Sequence, residues 1–315
     1  MDFGLHVGTR GAGATPEGLQ AIARKCEASG YATLGFNDHV ITANAVDSKY
    51  PYSESGIWPA ADTGTCLEQL MTIAFVAGVT EKIRLLTSVM VLPHRAPVLA
   101  AKMLATADVL SNGRLTVGVG IGWMAEEMAA LQSPPYDQRG TASEDYIGAF
   151  KALWTQDVAA YDGDFISFEK VLFDPKPVQR PHPPIWVGGE GKPARRRAGQ
   201  LGDGWYPVIA NPRLMLDTPA AYAEGLDDVK RQADAAGRDP TSVDAAMFVP
   251  WYSLGAAKDD QRRPFTGSAE QIAEDARAYR DAGLNHLIVG FESSDLQESL
   301  DRIERFATQV MPLVD

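Results

Sequence analysis

Two cysteines, Cys26 and Cys66, are all that 315 residues contain. That is too few for a disulfide framework, and it leaves no paired-cysteine spacing for a metal. Histidine is scarce too, five residues in all, with no HxH or HExxH spacing among them. Neither a GxSxG elbow nor a Walker-type loop occurs. Positive charge is in deficit: 29 Lys and Arg stand against 41 Asp and Glu, a net charge of −12. A broad nucleic-acid or anionic-membrane surface is therefore not expected, although one small basic pocket remains compatible. The apolar run at 70–79 is too short to span a bilayer. The start, Met1 to Gly8, lacks the basic and apolar segments of a secretory signal. The expectation is a soluble, cytoplasmic protein acting on a small molecule, with no nucleic acid, membrane or metal partner.

What is present is alternation. At 45% hydrophobic the chain can bury a large core. Short β-type runs at 3–8, 32–36, 83–92, 115–119, 185–187, 205–208, 245–254 and 287–291 alternate with helical patterns. Thr15-Pro16-Glu17 supplies an N-cap, a proline in the first turn and an early acid. Leu19, Ile22, Ala23 and Cys26 then recur at helical spacing. Asn112-Gly113 reads as a helix stop, and Ser268 with Gln271 has capping-box spacing. Eight strand–helix units predict a (β/α)8 TIM-like barrel. Insertions are expected after strand 2 (residues 40–66) and between strands 4 and 5 (156–183, hairpin-like at first and then proline-rich). An open doubly wound sheet is the alternative. No repeat or linker divides 1–315, so a single domain is expected.

In such a barrel the chemistry sits at the C-terminal ends of the strands. Asn37-Asp38-His39 follows strand 2, Thr87-Ser88-Val89 ends strand 3, and Gly118-Val119-Gly120-Ile121-Gly122 follows strand 4. The last run lacks GxGxxG spacing and is a poor dinucleotide fingerprint. His39 is the leading acid/base candidate, because an imidazole near neutral pH can both give and take a proton. Adjacent strand residues point to opposite faces, so Asp38 and His39 need not touch. His6 ranks second. His286 precedes its strand and reads as structural, while His94 and His182 read as loop residues. Glu126 and Glu127 read as early helix acids that suit the macrodipole.

The stretch 185–197 runs from an apolar strand through Gly188, Gly189 and Gly191 into Pro193 and three consecutive arginines. Glycines permit close backbone approach, and a helix start offers free N–H groups to an anion. Arginines in a first turn oppose the macrodipole unless an anion compensates them. Three successive residues fan around the helix, so one of them, Arg196, or Lys192 is expected to assist the backbone in holding a phosphate. The competing reading pairs the arginines with acids such as Glu190 and Asp203.

The ordered blocks Thr87–Pro93, Ala107–Leu115, Val119–Trp123, Pro184–Gly189 and Leu201–Trp205, with Ala282-Gly283 before the last strand, resemble the bacterial luciferase-like monooxygenase superfamily. The likeness runs from residue 2 to about 311. Asn37-Asp38-His39 and the Lys49-Tyr50-Pro51-Tyr52 insertion are most similar to its coenzyme F420 branch. That resemblance implies a TIM-like barrel, a homodimer, and a deazaflavin lying across the strand ends, with FMN as the alternative cofactor. It implies a non-prolyl cis peptide at Ser88-Val89 behind the ring, Asp38 as a ring contact, His39 as the catalytic residue, and a phosphate turn at Gly188, Gly189 and Glu190. Gly120 and Gly191 complete the expected cofactor contacts. Trp123 stands where sugar-phosphate dehydrogenases of this branch carry a glutamate, and Val40 and Ile41 follow the histidine where those enzymes have a tryptophan. The expected activity is hydride transfer between F420 and a small organic substrate. An oxygen-activating FMN monooxygenase and a non-catalytic flavin-binding barrel are the competing functions.

Overall fold

The computed structural model describes residues 1–58, 65–255, 262–290 and 293–314. Its short apolar runs form eight parallel strands closed into a barrel with helices outside. The strands are β1 (Asp2–Val7), β2 (Thr33–Phe36), β3 (Arg84–Thr87), β4 (Leu115–Gly120), β5 (Ile185–Gly188), β6 (Gly204–Tyr206), β7 (Asp244–Val249) and β8 (His286–Gly290). Closure is direct. His6 on β1 registers with Gly290 on β8 and with Gly35 on β2, and Leu85 and Leu86 of β3 register with Leu115 and Thr116 of β4. All four residues of β2 are buried, as strands covered on both faces must be. The open-sheet alternative is set aside.

The expected strand at 83–92 is interrupted. It pairs as β3 up to Thr87, breaks at a cis Ser88–Val89 peptide, and resumes at Met90–Val91, which registers with Val119 and Gly120 of β4. Residue 291, the expected end of the last strand, lies outside the described residues, as do 59–64 of the first insertion. The second insertion contains an antiparallel hairpin, Ala159–Asp162 against Ser167–Val171.

The helices are α1 (Pro16–Ala28), α2 (Gln69–Ala77), α3 (Pro97–Leu110), α4 (Ala125–Ala130), α5 (Arg139–Thr155), α6 (Lys192–Leu201), α7 (Pro219–Ala235), α8 (Ala269–Asp281) and α9 (Leu296–Gln309). Their ends follow local chemistry. Thr15 Oγ1 accepts the Gly18 N–H at 3.0 Å, satisfying one of the orphan donors of α1, and Ser268 and Gln271 complete a capping box on α8. The apolar stripe of α1, Leu19, Ile22, Ala23 and Cys26, is buried against the barrel wall. A separate small cluster of Leu86, Trp186, Tyr206, Ala246 and Ile288, one residue from each of five strands, has Val89 and Phe248 packed against it. Among the described residues no helix is long and apolar enough to cross a membrane.

Candidate active site

A cavity of about 350 Å³ opens at the C-terminal ends of the strands. It gathers His39 from the end of β2, Ser88 and Val89 from the break after β3, Gly120 to Trp123 after β4, and Gly188 and Gly189 after β5. Tyr50 and Trp58 of the first insertion also line it.

His39 and Asp38 point to different partners, as adjacent extended residues should. His39 Nδ1 lies 2.8 Å from Glu127 Oε2, with 13% of its own side chain and 1% of the glutamate's exposed. Glu127 Oε1 accepts the Val40 and Ile41 N–H groups at 2.7 and 3.2 Å. Burial works to raise the Glu127 carboxyl, but the His39 hydrogen bond, its charge and the Val40 N–H outweigh it and hold the group below its usual range. A carboxylate can only accept, so the proton of neutral His39 sits on Nδ1 and Nε2 remains the nitrogen for proton exchange. Next door, Glu126 Oε1 accepts the Asp47 and Ser48 N–H groups at 2.8 and 3.0 Å, and Ser48 Oγ accepts the Ala125 N–H. The first turn of α4 thus pins the excursion that follows β2.

The Asp38 side chain is fully covered and committed to protein. Its two oxygens take a bidentate pair from Arg95 at 2.7 and 2.8 Å, and Oδ2 also accepts the Val91 N–H at 2.9 Å. Arg95 is shared with Glu68. Asp38 therefore fixes the chain just beyond the cis peptide, while that peptide's Ser88 Oγ meets the Tyr206 hydroxyl at 2.8 Å. Gly120 and Gly188 flank Val89: a Cβ on Gly120 would stand 2.7 Å from Val89 Cγ2, and one on Gly188 3.3 Å from Val89 Cγ1. Bare backbone on both sides lets the Val89 side chain pack directly against the ends of β4 and β5.

The turn into α6 is as glycine-dependent as the sequence predicts, with Gly189 at φ +107° and Gly191 as N-cap. Glu190 is buried and turned to the loop after β6: its oxygens accept the Val208 N–H at 2.8 Å and the Asn211 amide at 2.7 Å. Desolvation raises its pKa despite those bonds. The expectation for Arg196 needs correction. Arg196 and Arg197 both pair with Glu144 of α5, at 2.6 and 3.0 Å, and Arg195 pairs with Asp228 of α7 at 3.2 Å. None of the three lines the cavity. The arginines pair with acids, as the competing reading expects, but with Glu144 and Asp228 on neighbouring helices in place of Glu190 and Asp203.

Other histidines divide as follows. His6 lines the cavity with its ring 4.6 Å from Phe248, and His286 lies at the opposite end of the barrel 3.3 Å from Asp2. His94, read as a loop residue, is instead buried in the cavity wall. Its Nε2 stands 3.9 Å from Glu127 Oε2, its Nδ1 has no hydrogen-bond partner among the described residues, and desolvation lowers its pKa. Glu127 was equally invisible as a site residue, because its spacing after β4 is that of any helix-opening acid. Trp58 and Trp123 close the wall beside His39: Trp58 lies 4.4 Å from the imidazole and 6.0 Å from Trp123.

The luciferase-like monooxygenase family model matches residues 1–255. An uncharacterised Mycobacterium tuberculosis protein, Rv0953c, is 33% identical over 289 residues, covering 89% of this chain and 96% of that one. An FMNH2-dependent dimethylsulfone monooxygenase of Pseudomonas fluorescens is 36% identical over 279 residues, covering 75% of this chain and 74% of that one. In fold, the chain is similar to an F420-dependent secondary alcohol dehydrogenase solved with an F420–acetone adduct: TM-score 0.77, 19% identity, 100% and 99% of the two chains covered.

Proposed function

The chain belongs to the luciferase-like monooxygenase family, and from that premise we propose that it is a coenzyme F420-dependent oxidoreductase transferring a hydride to or from a small organic substrate. The observation that carries this reading is the His39–Glu127 pair in one cavity with Val89 and its flanking glycines. A side chain at Gly120 would displace Val89, whose packed side chain faces the cavity and would back a flat ring. When bound, the deazaflavin supplies or takes up the hydride, and the protein supplies position and exchanges the proton. Val89 and the glycines flanking it would back the ring. The N–H groups of the Gly188–Gly191 turn and the start of α6 would take the phosphate, as helix starts do. Asp38 holds the Met90–Val91 segment and so supports the ring seat from behind. His39 Nε2 gives or takes the substrate proton, while Glu127 fixes the tautomer and stabilises the imidazolium.

A second reading, an FMN-linked monooxygenase, is favoured by the 36% identity to a protein of that description. Titration of the purified protein with F420 and with FMN, followed by quenching of each cofactor's fluorescence, separates the two. Tight F420 binding supports the proposal; tight FMN binding with none of F420 replaces it. We also propose a homodimer. Met71 and Phe75 on α2, and Leu99 and Leu110 on α3, are exposed on neighbouring helices, an apolar surface that a second copy would cover. Light scattering on size-exclusion chromatography tests it, and a monomeric mass would refute it.

A further inference from the structure

The charges around the cavity are almost all compensated. Asp38 is matched by Arg95. Glu127 is matched by His39 and two backbone N–H groups. Arg10 is different. It is the one lysine or arginine among the described residues lining the cavity, and no described carboxylate pairs with it. Its guanidinium lies over the Trp58 ring at 4.6 Å. No described residue accepts a hydrogen bond from its guanidinium, whose N–H groups can be taken up by a carboxylate as a fork.

The wall beside it is apolar, built of aromatic rings packed edge to face. Trp58 touches His39, Trp123 stands 6.0 Å from Trp58, and Tyr50 stands 5.2 Å from Trp123, all as ring-centroid distances. Burial pushes the Tyr50 phenol up to about 12, with Arg10 working against that rise, so this wall carries no negative charge at neutral pH.

Position separates Arg10 from the phosphate turn. Arg10 follows β1, which pairs with β2, the strand that ends at His39. Gly188 and Gly189 follow β5, on the far side of the eight-strand ring from β1. A group reaching Arg10 therefore lies on the acid/base side of the mouth. The protein as a whole carries a net charge of −12, which disfavours anions at long range, so an anion must be recognised locally.

We propose that Arg10 and the Tyr50–Trp58–Trp123 wall form the substrate subsite, and that the substrate is a small organic anion with a flat apolar body and a carboxylate. The apolar body packs on the indoles beside His39, and the carboxylate takes the Arg10 fork. The inference rests on reading the cavity as a shared cofactor and substrate site.

Benzoate and benzamide have the same shape and differ in charge, which makes them suitable probes. Their binding to the protein, alone and cofactor-saturated, is read by calorimetry, while cofactor binding is followed separately by its own fluorescence. Benzoate is expected to bind roughly tenfold more tightly than benzamide, the scale of one charge-assisted fork. Arg10→Gln should remove that difference, and Trp58→Leu should weaken both probes. Equal binding of the two probes to the unaltered protein, or no binding of either, overturns the proposal without any variant. Loss of cofactor affinity in Arg10→Gln with the probe ratio intact also overturns it, assigning Arg10 to the cofactor phosphate. A protein that binds neither F420 nor FMN defeats the functional reading instead, and leaves the probe ratio to stand or fall by itself.

Discussion

His39 Nδ1 sits 2.8 Å from Glu127 Oε2, joining the end of β2 to the first turn of α4 across the cavity floor. If this pair moves the substrate proton, His39→Ala should lower kcat by about 10²–10⁴ with cofactor affinity retained. Glu127→Gln is the sharper variant. Its amide oxygen can still accept the Val40 N–H, but its NH2 confronts Nδ1 and forces the other tautomer. A kcat loss of about tenfold to a hundredfold, with a displaced pH profile, is the expected result. An unchanged profile with unchanged kcat would show that the carboxylate only tethers the loop.

Two glycines two positions apart, Gly118 and Gly120, should behave differently. A Cβ on Gly118 would stand 2.0 Å from the Thr87 carbonyl oxygen, whereas one on Gly120 meets only the Val89 side chain. Backbone cannot yield as a rotamer can. Gly118→Ala should therefore cost folding stability, about 1–3 kcal/mol or more. Gly120→Ala should cost less stability and lose cofactor affinity instead. Urea denaturation beside cofactor titration reads both, and the reverse ordering would remove Val89 and Gly120 as the backing of the ring.

Strands, caps and barrel order were legible because they are written locally: period, N-cap, glycine stop. Thr15, Ser268 and Asn112-Gly113 do in the structure what their spacing predicts. Sites are written in long-range pairs, and there legibility fell. Glu127 is 88 residues from His39, and nothing in its neighbourhood separates it from Glu126, which binds the Asp47–Ser48 loop. Trp123 stands where related enzymes carry a glutamate, and the carboxylate here comes four residues later, from Glu127. His94 sits among prolines in the chain yet lies buried in the cavity wall. The arginines misled for the same reason, since Glu144 and Asp228 reach them from α5 and α7 rather than from nearby sequence.

Acid should loosen this site in two stages. Burial holds the His94 imidazole below its ordinary 6.5, and the bonds to Glu127 outweigh burial to hold that carboxyl below 4.5. Both folded-state values lie below the unfolded ones. Their contribution is therefore complete above the unfolded values, and it drains as pH falls through the folded ones. Unfolding free energy should decline from just below pH 6.5 downward, by at most about 1.4 kcal/mol per pH unit for each proton. His94→Asn should flatten the upper part of that decline and, because the His94 charge also holds the Glu127 carboxyl down, shrink the part below pH 4.5. Identical slopes in the two proteins would mean that His94 protonates in place without cost.

The arginine run of α6 gives a test that separates ligand binding from helix packing. Arg196 has 45% of its side chain exposed and Arg197 only 4%, yet both lean on Glu144. Arg196→Ala should change stability by less than about 1 kcal/mol, as exposed pairs do. It should also leave cofactor affinity alone. Glu144→Ala should cost roughly 3 kcal/mol, because it strands the buried Arg197 charge without a counter-ion. Denaturation curves and cofactor titrations of the two variants provide the readout. A cofactor affinity lowered more than about tenfold by Arg196→Ala would mean that the guanidinium leaves Glu144 for the phosphate on binding, and the acid-paired arrangement would then be the resting state of a phosphate clamp.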